Sequence, residues 1–271
     1  MNKSIFSLLF LCAALSACVT SPTGRSQLML ISPEAAIVES KKAYLGTVAD
    51  LDKKNKLVSD ANTVSRVRTI TGRLVTEAVA RYPNTRDWEW SVAIIDDIDT
   101  INAWCMAGGR MAIYTGIISK LDLTDDELAQ IMGHEISHAL ANHTAERMSR
   151  AMAINLGVVA AGVASDNNAL TLTGAALAAK LALELPNSRT AESEADRLGT
   201  ELATRAGYDP AAAASLWRKM AKVGGSGGPE FLSTHPAPGN REKELTKMVP
   251  EMKALNPKGK KSAIYPITIV K

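Results

Sequence analysis

The segment Gly133-His134-Glu135-Ile136-Ser137-His138 carries the pattern HExxH. On an α-helix His134 and His138 share one face, about one turn apart, so both imidazoles can reach a single metal ion. Glu135 beside them can take a proton from metal-bound water. The pentapeptide also occurs in proteins that bind nothing, and the competing reading is a buried amphipathic helix with two satisfied histidines. The neighbourhood favours the site, since three of the four histidines in the chain, His134, His138 and His143, fall within ten residues. Thr124-Asp125-Asp126-Glu127 reads as a capping box. Leu128, Ile131, Met132, Ile136 and Leu140 then recur with helical spacing, which places the motif mid-helix rather than in a loop.

Catalytic zinc sites use three protein ligands and leave a position open for water. His143 is the nearest candidate in sequence, but on a continuous helix it lies about 180° round from His134. The extended HExxHxxGxxH pattern, with its glycine turn, is also absent. His143 is therefore expected at the surface or behind the ligands. Glu192 and Asp196 are spaced i,i+4 on a helix expected to end at Gly207. One carboxylate could complete the metal's shell while the other accepts a hydrogen bond from a ligand imidazole. The alternative is a solvated acidic face with Arg189 and Arg197 as partners.

HExxH followed by Ser188-Arg189-x-x-Glu192-x-x-Ala195-Asp196 resembles the family-48 zinc metallopeptidases, which include HtpX-like, CAAX-prenyl-protease-like and Oma-type enzymes. Ile101 to Gly109 looks like that family's Asn-Ala-aromatic…Gly-Gly segment, and Thr234-His235-Pro236 is similar to its late His-Pro motif. The likeness covers roughly residues 60 to 250. It implies a gluzincin-type site with one Zn²⁺ on His134, His138 and Glu192, and with Asp196 behind them. Glu194 falls where the family varies and receives no role. The resemblance also implies that an edge strand including Asn102, Ala103 and Trp104 pairs with an extended polypeptide substrate. A plain core strand is the other reading of that stretch.

The expected chemistry is metal-assisted peptide hydrolysis with Glu135 as general base. His235 either donates a hydrogen bond to the developing oxyanion or occupies the open zinc position and keeps the enzyme latent; a satisfied loop histidine is the plain alternative. Arg241 is close enough in sequence to help hold that loop. A function of another class is a chaperone or assembly factor for outer-membrane proteins that uses the groove mainly for binding. An intact Glu135 speaks against it, because a binding module has no use for a base beside the metal. A purely structural zinc site is disfavoured by the lack of cysteine ligands.

The elements that must position these residues read as a mainly helical α+β chain with a zincin-type domain, since aromatics are only 4% of it. Pro33–Lys53 and Asp60–Arg81 read as helices. Trp88, Trp90, Val92 and Ile94 alternate as a strand, and with the runs around Gly108-Gly109 they suggest about three strands beside the zinc helix. Asp209-Pro210 opens a further helix, and Gly224–Gly228 reads as a hinge. Residues 151–185 are expected to be core helices or a lid. Residues 1–17 read as a lipoprotein signal in which Leu15-Ser16-Ala17-Cys18 resembles a lipobox, which leaves a lipid on Cys18. Residues 18–59 are then an anchored segment with one helix, 60–255 the peptidase domain and 256–271 a solvated basic tail. Without an Asp after Cys18, the outer membrane facing the periplasm is the expected location. Partners would be envelope polypeptides and assembly or protease factors. Removing Lys3 takes the net charge from +3 to +2, a balance that points to no nucleic acid. Cys105 would be the sole remaining thiol, so no internal disulfide is expected.

Overall fold

The computed structural model describes residues 18–164, 185–223, 230–236 and 239–270. The signal segment, the Gly224–Gly228 hinge and most of the expected lid lie outside these residues. Cys18 opens β1 (Cys18–Thr20), which pairs antiparallel with β2 (Ser26–Leu28) in a short hairpin. Two long helices follow, α1 (Pro33–Lys53) and α2 (Ala61–Arg81). Each starts on a side-chain cap: Ser32 accepts from Ala35 N, and Asp60 accepts from Thr63 N.

A mixed sheet comes next: β3 (Ser91–Ile95), β4 (Ala103–Met106) and β5 (Arg110–Tyr114). Its order is β4-β5-β3-β6, where β6 (Thr268–Val270) comes from the far end of the chain. β3 runs parallel to β5 and β6, and β4 runs antiparallel to β5, so β4 is an edge strand. The expected three strands are therefore four. All five β3 residues are buried, because helices cover both faces of the sheet. Tyr44 of α1 packs on one face with Ala93, Ile95 and Ala112. On the other face Val67, Ile70 and Leu74 of α2 meet Val92, Ile94 and Ile113. Double-sided burial is why the Trp88-to-Ile94 alternation does not mark the strand. Trp88 and Trp90 precede it, and both pack against the core.

The short α3 (Thr115–Lys120) leads to α4 (Asp125–Leu140), which carries HExxH. Its capping box forms as read, with Thr124 Oγ1 accepting from Glu127 N and Glu127 Oε2 accepting from Thr124 N. Then follow α5 (His143–Ala164), α6 (Leu185–Arg205), α7 (Ala211–Val223), α8 (Glu230–Thr234) and α9 (Arg241–Leu255). Asp209 caps α7 through Oδ1, which accepts from Ala211 N. Among the described residues no helix is long and apolar enough to cross a membrane.

The expected solvated tail is part of the fold. Its lysines drew attention to charge, but Tyr265, Ile267 and Ile269 pack against the main core. Tyr265 N donates to Gly72 O and Thr268 N to Trp90 O, each at 3.0 Å. Ending the chain at Asn256 is expected to cost about 3 kcal/mol, taking roughly 1 kcal/mol for each of the three partly buried side chains. Urea unfolding measures it; a midpoint equal to the full chain's would return the segment to solvent.

The hairpin is also held firmly. Arg25 Nη1 and Nη2 donate to Glu146 Oε1 and Oε2 at 2.8 and 2.7 Å, and Gln27 Nε2 donates to Glu146 Oε2 at 2.9 Å. Burial opposes ionisation of Glu146, but the bonds from Arg25, Arg150 and Gln27 outweigh it and bring its pKa from 4.5 to about 2. Because the folded value is depressed, this stabilisation is fully present above about pH 4.5. It is lost as pH falls towards 2. Glu146→Gln should therefore flatten the acid limb of stability between those pH values, measured by urea midpoints. A limb as steep as the wild type's would remove Glu146 as its source.

Candidate metal centre

The two helices that carry the site meet at glycines. A Cβ on Gly133 would sit 2.8 Å from Gly199 O, and one on Gly199 would sit 2.7 Å from His134 N. Backbone therefore touches backbone where α4 crosses α6, which brings the acidic face of α6 within reach of the two histidines. Glu192 and Asp196 are 3% and 9% exposed, so the solvated-face reading fails.

His134 Nε2 and His138 Nε2 lie 3.0 Å apart. Glu192 Oε2 is 3.3 Å from the first and Oε1 is 3.4 Å from the second. His235 Nδ1 lies 3.3 Å from His134 Nε2 and 3.1 Å from Glu192 Oε1. These four residues offer donor atoms that are all within 4.8 Å of one another. The short separations match the edge of a tetrahedron around zinc, about 3.3 Å for ligand bonds of about 2.0–2.1 Å.

The electrostatics of the group are tightly coupled. Burial would lower the pKa of His134, but bonds from Asp196 and Glu192 raise it to about 9. Burial and the charge of His134 drive His138 well below its usual value. Two imidazole nitrogens face each other with charge for only one, beside a carboxylate held ionised by them. N/O donors in this arrangement suit zinc.

Behind the donors, His134 Nδ1 lies 3.1 Å from Asp196 Oδ1. Arg241 Nη2 donates to the same oxygen at 2.5 Å, Nη1 donates to Glu192 Oε2 at 3.4 Å, and the guanidinium stacks 3.5 Å over Trp217. Arg241 thus acts at the site itself, on both carboxylates. Its contribution arises from tertiary packing of α9, which spacing within the chain does not reveal.

Glu135 is 2% exposed, and burial pushes its carboxyl above the ordinary range, with His235 and His134 opposing the shift. No hydrogen bond reaches its Oε1 among the described residues, although His235 Nε2 lies 3.3 Å away. A base with a free oxygen thus faces the donor group. It opens on a cleft of about 400 Å³ whose walls include Asn102, Ala103, Trp104 and Cys105 at the β4 edge. Asn102 Oδ1 accepts from Ala103 N, and Asn102 Nδ2 donates to Glu230 Oε1, which ties the strand's entry to α8.

His143 stands behind His138 and outside the donor group, but for a different reason than helical spacing gives. α4 ends at Leu140, Asn142 turns with φ +55°, and His143 starts a new helix. The ring swings back to His138 instead of pointing away, and it is 7% exposed. Its Nδ1 is 2.8 Å from His138 Nδ1, and its Nε2 is 3.1 Å from Glu194 Oε2. Glu194, given no role from sequence, is buried there as well.

A histidine pair on a helix buried beside a small mixed sheet, with a glutamate on the next long helix, defines a zincin-type metalloprotease domain. Comparison with known proteins narrows the class. The chain belongs to peptidase family M48, whose profile matches residues 62–249. The mitochondrial metalloendopeptidase OMA1 of Bos taurus is 31% identical over 264 residues, which is 93% of this chain and 50% of that protein. The mitochondrial metalloendopeptidase OMA1 of Arabidopsis thaliana is 37% identical over 158 residues, 58% of this chain and 31% of that protein. The beta-barrel assembly-enhancing protease of Escherichia coli is 30% identical over 152 residues, 53% of this chain and 31% of that protein. The chain thus spans half or less of the length of these relatives.

Proposed function

We propose that this chain is a zinc-dependent endopeptidase that hydrolyses extended polypeptides, with His134, His138 and Glu192 as ligands and Glu135 as general base. The observation that carries the reading is the four-donor group with the unbonded oxygen of Glu135 beside it, at the foot of an edge strand. Bound there, zinc supplies Lewis acidity that brings the pKa of a water towards about 7 and polarises the scissile carbonyl. Glu135 takes the attacking water's proton and returns one to the leaving amine. Asp196 accepts from His134 Nδ1 and holds that ring with Nε2 towards the donors. The stretch Asn102, Ala103 and Trp104 at the start of the β4 edge is where extended substrate would pair; Ala103 N already donates to Asn102 Oδ1 and Asn102 O already accepts from Tyr114 N, so substrate must use the outward groups that remain.

The enzyme is held to a membrane by a lipid on Cys18, with the outer membrane facing the periplasm as the location that the lipobox residues support. Misfolded or unassembled envelope proteins are the substrates that fit an open groove selecting for extended chain. The purified chain with one equivalent of Zn²⁺ should cut a reduced, unfolded polypeptide at internal bonds. A zinc chelator should stop the reaction and added zinc restore it, with fragments read by mass spectrometry. Cleavage only at chain ends, or cleavage indifferent to the chelator, would overturn the reading.

A further inference from the structure

The two zinc-binding histidines are not supported alike. His134 Nδ1 faces the carboxylate of Asp196. His138 Nδ1 instead faces another imidazole, that of His143, at 2.8 Å. A neutral histidine that ligates through Nε2 carries its proton on Nδ1. His143 Nδ1 must then accept, which leaves the proton of His143 on Nε2. That atom lies 3.1 Å from Glu194 Oε2, a carboxylate that can only accept when ionised. Were His143 to present a proton on Nδ1, it would force the proton of His138 onto Nε2, the atom that must bind metal. Glu194 thus sets the tautomer of His143, and His143 sets that of His138.

Glu194 is in turn fixed from the N-terminal hairpin. Thr23 Oγ1 donates to its Oε1 at 2.6 Å, and Arg25 Nε donates to Oε2 at 3.0 Å. The other two nitrogens of Arg25 hold Glu146 on α5. One guanidinium therefore bridges the start of α5 to α6, seven residues after Cys18. Both carboxylates are nearly buried, at side-chain exposures of 5% for Glu146 and 2% for Glu194. Thr23 and Arg25 also lie before residue 62, where the family match begins.

We propose that Arg25, Thr23, Glu194 and His143 form a chain of positioning residues that holds His138 in its zinc-binding tautomer and orientation, so that the N-terminal hairpin is part of the metal site. The inference rests on His138 being a zinc ligand. It gives the anchored end of the protein a direct connection to the metal, since displacing the hairpin would remove the donors, Thr23 and Arg25 among them, that it presents to Glu194.

The test is zinc affinity, measured by competition with a chelator for the full-length chain and for R25M, T23A, H143A and the double variant R25M/H143A. The melting temperature of each metal-free protein is recorded in parallel. Loss of such a supporting partner costs about 10- to 100-fold in metal affinity. H143A should therefore weaken zinc at least about tenfold and R25M by a smaller but clear factor. The double variant should bind no more weakly than H143A, because both act through one path. A merely structural hairpin predicts lower melting temperatures with zinc affinity unchanged, and that result overturns the proposal. Independent, multiplying effects of R25M and H143A overturn it too. Should H143A fail to fold, R25M and T23A decide alone: weakened zinc supports the chain, and unchanged zinc refutes it. If the wild type itself binds no zinc, the reading of the site falls first and this inference with it.

Discussion

Glu135→Gln is expected to keep one zinc per chain and to lose about 10²- to 10⁴-fold or more in turnover of an unfolded polypeptide, the range for removal of a general acid–base. Zinc should stay because Glu135 is not among the four donors. Glutamine is close in size to glutamate, so the packing around a side chain that is 2% exposed should survive. What disappears is the proton acceptor, because an amide cannot take a proton from water at neutral pH. Turnover and metal content together make the measurement decisive. Equal turnover would end the assignment of Glu135 as base, and lost zinc would mean that its role is to hold the site together. The same variant separates hydrolysis from binding. In cells lacking the protein, rescue by Glu135→Gln would favour the assembly-factor reading, whereas failure with normal protein levels requires peptide hydrolysis.

How far the site was legible follows from the range of each signal. The capping box, the HExxH helix and the caps of α1, α2 and α7 depend on residues within a turn of one another, and sequence shows them directly. Glu192 became readable as a candidate third ligand through the resemblance, since Glu192 and Asp196 by spacing alone are two carboxylates on a helix. The residues that escaped act through distant contacts. Gly133 and Gly199 matter only where α4 and α6 cross, and β6, which starts at Thr268, joins a sheet whose other strands end at Tyr114 or earlier. His143 was placed on the wrong face by extending one helix too far. The signal that would have corrected this was Asn142, because asparagine tolerates the left-handed conformation that ends helices. Moving the helix end to Leu140 frees His143 to turn back towards His138. Glu194 follows from that, as a buried acid opposite a buried imidazole.

His235→Ala is expected to raise turnover of an unfolded polypeptide about tenfold. Two roles were open from sequence, and the geometry favours the latch. His235 Nδ1 stands among the ligand atoms, within 3.3 Å of His134 Nε2 and 3.1 Å of Glu192 Oε1. Its Nε2 faces Glu135. The ring stacks on Phe231 at 4.4 Å between centroids, on the same short helix whose start is tied to Asn102 through Glu230. A hydrogen-bond donor to an oxyanion would have to stand off from the ligands to leave room for the carbonyl. This ring instead stands among the atoms that would hold the metal, where water and substrate would have to enter. If only about a tenth of molecules have the ring displaced, apparent activity is reduced to that fraction, and removing the ring restores it. The gain should appear mainly in turnover at low substrate concentration, because tight-binding substrate already competes for the vertex. A second consequence runs the other way. Losing a fourth donor should speed zinc release to a chelator, so His235→Ala should be more active and more easily stripped. Turnover falling by tenfold or more would assign His235 to oxyanion stabilisation, with a loss in the range of about 10²–10³ seen when such a donor is removed. An unchanged rate with unchanged zinc release would remove it from both roles.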